Sequence, residues 1–529
     1  MDGFRVLTWD TPPDDRADEI PEQFNMATAL VDRHLQAGRG DRVAVYYGDQ
    51  QLTYWDLAAL VNRTGNGLRS LGLGLEDRVV LLLPDCPEFL ATFLGAMKIG
   101  AVPVPVNTLA TVDDLGYYLS DSRARAVVLT ADCLDRVEAV HPRLRYLRHV
   151  VLLGEPRPGT ESFAALVDGQ SAALEAAPTS RDDVAYWLYS SGTTGRPKGT
   201  VHLHEDMVYC TRAYAEHVVG FGEQDISYSA SKLFFSYGLV NSLYLPLWSG
   251  GAVALNPARP DPTTILETIE RYRPTLFFSV PTSYAQVIRE IEARAQPPDL
   301  SSLRLCISAG EALPPPIYER WRALTGVEVL DGVGSSEIGY IAISNFPGRS
   351  RPGTSGELLP GYQARVVDEA GEPVPPGEVG DLWVRSRSTA ARYWNQHDRT
   401  KQTFVGEWLK TGDKYYVDEA GHYVYAGRSD DMLKVGGIWV SPMEVEAVLL
   451  AHEAVAEAAV VGVADEAGLI KPKAYVVTKS GEGGDELAHA LQEWVRDRLA
   501  HYKYPRIVEF VAELPKTATG KIQRYRLRA

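Results

Sequence analysis

This sequence has few cysteines, no long apolar runs and no excess of basic residues. The four cysteines lie far apart with no CxxC pair, which supports neither a disulfide framework nor a zinc site. No stretch reaches the ~18 apolar residues of a membrane-spanning helix, and the acidic N-terminus lacks the basic-then-apolar order of a signal peptide. A net charge of -16 argues against nucleic acid as a partner. These absences predict a cytoplasmic protein that binds neither nucleic acid nor membrane.

The length of 529 residues predicts at least two domains, because a single core does not grow to that size. Through the first four-fifths of the chain, short β-branched runs alternate with amphipathic segments. That order predicts an α/β fold with doubly wound parallel sheets and helices on both faces. The predicted strands are residues 78–83, 102–106, 126–129, 149–153, 184–189, 251–255, 275–280 and 303–308.

The pattern of predicted strands, helices and turns changes twice towards the C-terminus. Gly- and Pro-rich turns between short strands predict a small β subdomain at about 350–429. A boundary near 427–431 is followed by a mixed strand and helix pattern typical of an independent α+β domain. We therefore predict an N-terminal domain at 1–429 and a C-terminal lid domain at 430–529.

The segment 189–199, YSSGTTGRPKG, follows a predicted strand and has the composition of a phosphate-binding loop. Glycines let backbone N–H groups turn towards an anion, hydroxyls donate, and lysine supplies charge. Taken alone, such a loop is more often a flexible surface turn, and the chain has no Walker A, G-x-G-x-x-G, H-E-x-x-H or G-x-S-x-G motif. His202 and His204 are interpreted as structural. The candidate phosphate ligands are Ser190, Ser191, Gly192, Thr193, Thr194, Gly195 and Lys198.

The loop resembles the phosphate loop of the adenylate-forming superfamily, which includes acyl- and aryl-CoA ligases, peptide-synthetase adenylation domains and luciferases. Four further motifs of that superfamily follow in the same order: AGEAL at 309–313, DGVGSSE at 331–337, KTGD with GRSDDMLK at 410–434, and PKTATGK at 515–521. Five motifs in order make the resemblance specific. It implies ATP and Mg²⁺ as cofactors, an acyl-adenylate intermediate, and a lid that turns between two half-reactions.

Carried over residue by residue, the resemblance assigns most of the nucleotide site. Without it, Glu337 would be interpreted as a helix-starting glutamate, and Asp413 with Arg428 as a surface ion pair. The implied roles are adenine contacts for Gly310, Glu311, Asp331, Gly332 and Val333; the α-phosphate for Ser336; magnesium for Glu337; ribose or phosphate for Asp413 and Arg428; the hinge for Asp430; the coenzyme A channel for Gly436 and Gly437; and catalysis for Lys521.

Shorter segments resemble benzoate-CoA ligases, and they place the acyl pocket at Phe235, Ser236, Tyr237, Gly334 and Tyr340. Ser236 and Tyr340 depart from the small apolar residue and the histidine that are usual at those places in such ligases. Both add a hydroxyl, and because an unpaired buried donor is costly, we expect a hydroxy- or amino-substituted ring.

The expected function is ATP-dependent activation of an aromatic carboxylic acid, followed by thioester formation with coenzyme A. Two alternatives stay open: an aryl-acid adenylating enzyme that loads a separate carrier protein, and a nucleotide-binding homologue without catalysis. The intact Glu337, Asp413 and Lys521 count against the second. The oligomeric state is left open, with a homodimer included.

Overall fold

Helices and strands alternate along most of the chain in a computed structural model that describes residues 20–190, 196–428, 431–435, 438–464, 470–516 and 522–528. The helices are α1 (Met26–Leu30), α2 (Asp32–Gln36), α3 (Tyr54–Ser70), α4 (Pro87–Lys98), α5 (Val112–Asp121), α6 (Ala131–Val140), α7 (Phe163–Val167), α8 (Asp206–His217), α9 (Ser236–Leu239), α10 (Leu245–Ser249), α11 (Pro262–Tyr272), α12 (Pro281–Ala293), α13 (Pro315–Thr325), α14 (His397–Thr403), α15 (Pro442–Leu450) and α16 (Asp485–Arg496).

The strands of the same part of the chain are β1 (Val43–Tyr47), β2 (Gln50–Thr53), β3 (Arg78–Leu82), β4 (Val102–Pro105), β5 (Ala126–Thr130), β6 (His149–Leu153), β7 (Glu161–Ser162), β8 (Val184–Ser190), β9 (Lys198–Leu203), β10 (Ile226–Ser229), β11 (Ala252–Leu255), β12 (Leu276–Ser279), β13 (Leu305–Ala309), β14 (Val329–Gly334), β15 (Ile341–Ser344), β16 (Glu357–Leu358), β17 (Gln363–Val367), β18 (Gly380–Arg385), β19 (Arg392–Tyr393), β20 (Phe404–Val405), β21 (Trp408–Val417), β22 (Tyr423–Arg428), β23 (Leu433–Val435), β24 (Ile438–Val440), β25 (Val455–Ala464), β26 (Ile470–Thr478) and β27 (Ile507–Phe510).

Two large sheets form the N-terminal part. One has the order β16-β15-β14-β13-β12-β10-β11-β1-β2, and the other has the order β4-β3-β5-β6-β7. The second sheet is parallel throughout, and the strands from β14 to β1 of the first are parallel to their neighbours. Several of these strands, such as β3, β5, β6 and β11, are nearly continuous apolar runs, as is usual where helices cover both faces of a parallel sheet. The predicted α/β class with doubly wound sheets is confirmed.

Local signals fix where several helices begin. Thr53 and Asp56 form a reciprocal capping box at the start of α3, and Thr111 and Asp114 do the same for α5. Proline occupies the first turn of α4, α11, α12, α13 and α15, where its missing N–H costs nothing. These caps keep the connections between strands and helices short and well defined.

The strands on either side of the predicted phosphate loop are antiparallel to each other, so the loop does not follow a strand of a parallel sheet. β8 pairs with β9 from Val184↔Leu203 to Ser190↔Lys198, so the placement of 184–189 among parallel strands was wrong. The segment that follows the loop enters a strand at Lys198 and leaves no room for a crossover helix. Residues 191–195 of the loop itself lie outside the described residues.

The C-terminal part has its own apolar core. The buried residues of this cluster run from Leu433 to Val495, whereas those of the largest N-terminal cluster end at Tyr415. A three-stranded sheet, β25-β26-β27, and the hairpin of β23 and β24 form this part. The division at 429 and 430 stays a prediction, since both residues lie outside the described ones. No helix in the described part of the chain is long and apolar enough to cross a membrane.

Candidate functional site

The candidate site lies at the carboxyl ends of the parallel strands β10, β12, β13 and β14, the edge at which α/β sheets usually bind ligands. β14 is followed by a tight turn, residues 335–340, that leads back into β15. A Cβ at Gly334 would overlap the carbonyl oxygen of Tyr340, so glycine is required for this close approach. The turn carries Ser336, Glu337 and Tyr340, which places nucleotide and acyl candidates within six residues.

Glu337 is the centre of a charged cluster. Its Oε1 accepts hydrogen bonds from Tyr393 Oη at 2.8 Å, Lys198 Nζ at 3.2 Å and Ser190 Oγ at 3.5 Å. Lys198 Nζ also donates to Tyr393 Oη at 3.1 Å. Burial favours the neutral acid, but Lys198 and the Tyr393 hydroxyl outweigh it, and the pKa of Glu337 is lowered. The carboxylate is therefore ionised at neutral pH and faces the start of the phosphate loop.

The donor set around Glu337 suits magnesium. Mg²⁺ is bound in proteins by one or two carboxylates together with substrate phosphates and water, rather than by a cage of protein ligands. Within the described ranges, no cluster of three or more His, Cys, Asp or Glu side chains could hold a metal. One ionised carboxylate beside hydroxyl and ammonium groups fits a metal that enters with a nucleotide. The structure thus brings Ser190, Lys198 and Glu337 together, while their roles in phosphate and metal binding stay predictions, and Tyr393 was missed.

The residues expected to contact adenine lie on β14 and in the loop that precedes α13. Asp331 accepts a hydrogen bond from the Leu313 N–H at 3.2 Å, so it ties the 310–313 loop, with Gly310 and Glu311, to β14. Burial raises the pKa of Asp331 to about 8. Val333, which is half-buried, lies on the same strand and pairs with Ile343.

Asp413 and Arg428 face each other on β21 and β22. Arg428 Nη1 lies 3.0 Å from Asp413 Oδ1, which orients the carboxylate before any ribose binds. Burial, and next the negative charge of Asp413, raise the pKa of Tyr415.

The acyl candidates form an aromatic wall. The rings of Tyr237 and Tyr340 are stacked with centroids 6.1 Å apart, and Tyr214 meets Tyr340 edge-on at 4.9 Å. Phe278 closes one side through an edge contact with Tyr237 at 6.4 Å. Phe235 is half-buried at the start of α9. A planar ring fits such a wall better than a flexible alkyl chain.

The expected unpaired hydroxyls are not observed. Ser236 Oγ donates to the Gly339 carbonyl at 3.0 Å, and Tyr340 Oη donates to Asn241 Oδ1. The argument from unpaired donors was therefore wrong, because both hydroxyls already have acceptors within the protein. Each oxygen keeps the capacity to accept a hydrogen bond. Asn241, which the sequence did not single out, lies in a π-helical segment at Val240–Tyr244.

The two histidines differ in their surroundings. His204 Nδ1 accepts from the Met26 N–H at 3.1 Å, and burial lowers the pKa of His204 to about 4, in keeping with a structural role. His202 instead reaches the site, because its Nε2 lies 2.6 Å from the Ser336 carbonyl oxygen. Asp430, Gly436, Gly437 and Lys521 lie outside the described residues, as do Ser191, Gly192, Thr193, Thr194 and Gly195.

Comparisons with known proteins agree with this geometry. The AMP-binding enzyme family matches residues 32–394, and the AMP-binding enzyme C-terminal domain matches residues 444–521. A benzoate–CoA ligase of Thauera aromatica is 49% identical over 98% of both chains. A 4-hydroxybenzoate–CoA/benzoate–CoA ligase of Rhodopseudomonas palustris is 42% identical over 96% of this chain and 94% of the relative. The solved structure of an anthranilate CoA ligase in complex with anthranoyl-AMP superposes with a TM-score of 0.93 at 42% identity, covering 97% of this chain and 98% of that one.

Proposed function

The chain belongs to the AMP-binding enzyme family, and from that membership we propose that it activates an aromatic carboxylic acid with ATP and transfers the acyl group to coenzyme A. The enzyme is an AMP-forming aryl-CoA ligase. One observation carries the proposal: the turn at 335–340 bears Glu337 beside Lys198 and also Tyr340 in the aromatic wall. A nucleotide phosphate and an aryl carboxylate bound at these two places would meet at this turn.

The reaction has two half-reactions. A carboxylate oxygen of the acid attacks the α-phosphorus of ATP, the bond to pyrophosphate breaks, and a mixed anhydride with AMP forms. The sulfur of coenzyme A then attacks the acyl carbon, its thiol proton is lost to solvent, and AMP leaves. Because two anions must approach in the first step, the site has to supply positive charge.

Named residues supply that charge. Lys198, at the start of β9, is proposed to face the phosphates, and Lys521 is proposed to bridge the carboxylate and the α-phosphate. Glu337 would hold Mg²⁺, which when bound neutralises phosphate charge. The Ser336 hydroxyl is proposed to contact the α-phosphate, and the ion pair of Asp413 with Arg428 is proposed to bind the ribose hydroxyls.

A polar ring substituent is also proposed for the substrate. Ser236 and Tyr340 already donate their protons within the protein, so their oxygens can accept from a hydroxyl or amino group on the ring. The relatives named for 4-hydroxybenzoate and anthranilate support a substituent of that kind. Plain benzoate would bind to the same aromatic wall without those hydrogen bonds.

The lid is the remaining part of the proposal. Residues 430–529 are proposed to turn about Asp430 between the half-reactions, so that Gly436 and Gly437 leave room for the thiol arm of coenzyme A in the second. A carrier protein as acceptor and a homodimeric state stay predictions, as does a cytoplasmic location, which the four free buried cysteines would suit.

A substrate panel tests the function. Purified enzyme with Mg²⁺ and ATP is given benzoate, 4-hydroxybenzoate, 2-aminobenzoate or palmitate, and pyrophosphate release is followed. Coenzyme A is then added, and the product is identified by mass. We expect pyrophosphate release and acyl-CoA with an aryl acid. Release of pyrophosphate without formation of acyl-CoA would favour a carrier protein as the acceptor. The absence of pyrophosphate release with every aryl acid would contradict the proposal.

A further inference from the structure

The turn that carries Glu337 is held by its carbonyl oxygens. Four consecutive carbonyls accept hydrogen bonds from outside the turn, and the donors come from β9, α9 and the segment before β19. The donor and acceptor pairs are His202 Nε2 to Ser336 at 2.6 Å, the Ala390 N–H to Glu337 at 2.8 Å, Ser388 Oγ to Ile338 at 2.8 Å, and Ser236 Oγ to Gly339 at 3.0 Å.

His202 is itself held in place by several contacts. Its side chain is fully buried and stacks on the Tyr186 ring at 5.0 Å with an angle of 11° between the planes. Its Nδ1 lies 3.0 Å from Asp206 Oδ2. The same carboxylate oxygen accepts from the Leu203 N–H at 3.0 Å, so the start of α8 and the end of β9 share one anchor.

The chemistry of the contact assigns the proton. A carbonyl oxygen can only accept, so Nε2 of His202 must carry a hydrogen to bond Ser336. A second hydrogen lies between Nδ1 and Asp206 Oδ2, since two acceptors 3.0 Å apart would repel, and this hydrogen bond fixes the ring orientation as the outer partners of metal-binding groups often do. The ring therefore links a buried aspartate to the peptide immediately before Glu337.

We propose that His202 is a positioning residue for Glu337. By holding the Ser336 carbonyl, it fixes the Ser336–Glu337 peptide and so the direction in which the Glu337 carboxylate meets the metal and nucleotide. The inference rests on the proposed function, since it gives Glu337 the task of holding the metal. His202 itself touches neither the nucleotide nor the acid in this role.

Two substitutions of His202 distinguish the loss of its hydrogen bond to Ser336 from the loss of side-chain packing. The amide nitrogen of His202→Gln can reach the place of Nε2 and still bond Ser336, whereas that of His202→Asn reaches only the place of Nδ1. We expect the Gln variant to bind a Mg²⁺ complex of a non-hydrolysable ATP analogue within about threefold of wild type in calorimetry. The Asn variant should bind it about tenfold more weakly, the usual size of losing one hydrogen bond to a group that must stay in place.

Two further measurements exclude a merely structural role. Thioester formation from a supplied aryl-adenylate and coenzyme A should stay within twofold of wild type in both variants, because that step needs no metal at Glu337. The matched control is His204→Gln, a neighbouring buried histidine outside the site, which should lower the Tm without changing nucleotide affinity.

These experiments distinguish an error in the role of His202 from an error in the proposed ligase function. Equal affinity in the Gln and Asn variants, whether normal or weakened, would overturn the role of His202. If the Asn variant does not fold, the Gln variant decides: a tenfold loss of affinity at an intact Tm overturns the proposal, and near-normal affinity supports it. Absence of aryl-CoA formation by the wild-type enzyme would instead contradict the proposed function, because nucleotide binding is measured without an acid.

Discussion

Glu337 is held as an ionised carboxylate by Lys198 and Tyr393 before any ligand binds. Glu337→Gln keeps the size of the side chain but removes its charge, and with it the attraction for a cation. We expect adenylation to fall by roughly 10²–10³-fold, the usual effect of losing one electrostatic group in a catalytic site. Pyrophosphate release with saturating acid measures the effect, and wild-type rates would remove Glu337 from the metal-binding role.

Tyr393 is predicted to contribute through its hydroxyl alone. Tyr393→Phe keeps the ring next to Lys198 but deletes the hydrogen bond to Glu337, and a hydrogen bond to a charged group is worth about 1.5–3 kcal/mol. We expect adenylation to drop about tenfold, with a higher requirement for Mg²⁺. Tyr272→Phe is the control, since that hydroxyl donates to the Gly48 carbonyl on an exposed surface. An unchanged magnesium requirement in Tyr393→Phe would contradict the role.

Single residues show why only part of the site could be predicted from sequence. Ser190 and Lys198 stand in a loop whose composition indicates phosphate binding, whereas Glu337 was assigned through the resemblance of the DGVGSSE segment to the adenylate-forming superfamily. Tyr393 has no motif, and it reaches Glu337 only because β19 pairs with β9 at Tyr393↔Thr200, two residues beyond Lys198. The hydrogen-bond acceptors of the Ser236 and Tyr340 hydroxyls could not be predicted from the sequence either, because Gly339 and Asn241 meet them only in the tertiary structure.

At the scale of elements, β14 contains a carboxyl group that resists ionisation. Asp331 has a raised pKa of about 8 in the fold because it is buried, while in the unfolded chain it ionises near 4. Its contribution to stability is therefore fully present below pH ~4 and is lost as the pH rises towards 8.

Asp331→Asn should remove that loss, since an amide does not ionise. We expect the Tm of the variant, relative to the parent, to rise from pH 5 to pH 8 and to stay level above. Thermal unfolding across this range measures the trend, with the exposed Asp41→Asn as the control. A difference that is flat with pH would mean that Asp331 is ionised in the folded protein.

The proposed acyl pocket, where α9 meets the start of β15, predicts substrate choice. Hydroxy- or aminobenzoates should exceed palmitate by at least tenfold in kcat/KM, because the stacked Tyr237 and Tyr340 rings match a planar acid. A methylene in an apolar pocket is worth only ~1–3 kcal/mol, so shape and hydrogen bonding should decide. A competition assay that favours palmitate would contradict this.

Strands with an unbroken run of apolar residues were predicted well, whereas strands whose apolar runs are interrupted by polar residues or glycine were missed. The parallel strands β3, β5 and β6 read as unbroken apolar runs and lie within a residue of their expected bounds. β10 and β14 were missed, since Ser227 and Ser229 in one and Asp331, Gly332 and Gly334 in the other are typical of turns. Their strand conformation comes from pairing with neighbours, which local propensity does not encode.

For the whole molecule, the proposed alternation of the lid predicts that two variants fail in opposite half-reactions. If Lys521 acts only where carboxylate meets α-phosphate, Lys521→Ala should abolish pyrophosphate release and still convert a supplied aryl-adenylate with coenzyme A at a near wild-type rate. A side chain at Gly437 should do the reverse, by narrowing the thiol channel while adenylation continues. Equal loss of both steps in Lys521→Ala would rule out this division of labour.

The ion pair of Lys198 with Glu337 also determines how metal and nucleotide depend on each other. ATP alone, by drawing Lys198 away, would leave Glu337 facing phosphate oxygens of the same sign. A divalent cation alone, held by Glu337, would lie beside the ammonium group of Lys198. Only joint binding cancels both repulsions, so each ligand strengthens the affinity for the other by the same factor. The enzyme should therefore respond to the concentration of the metal–nucleotide complex, and an excess of either component alone should inhibit it only weakly.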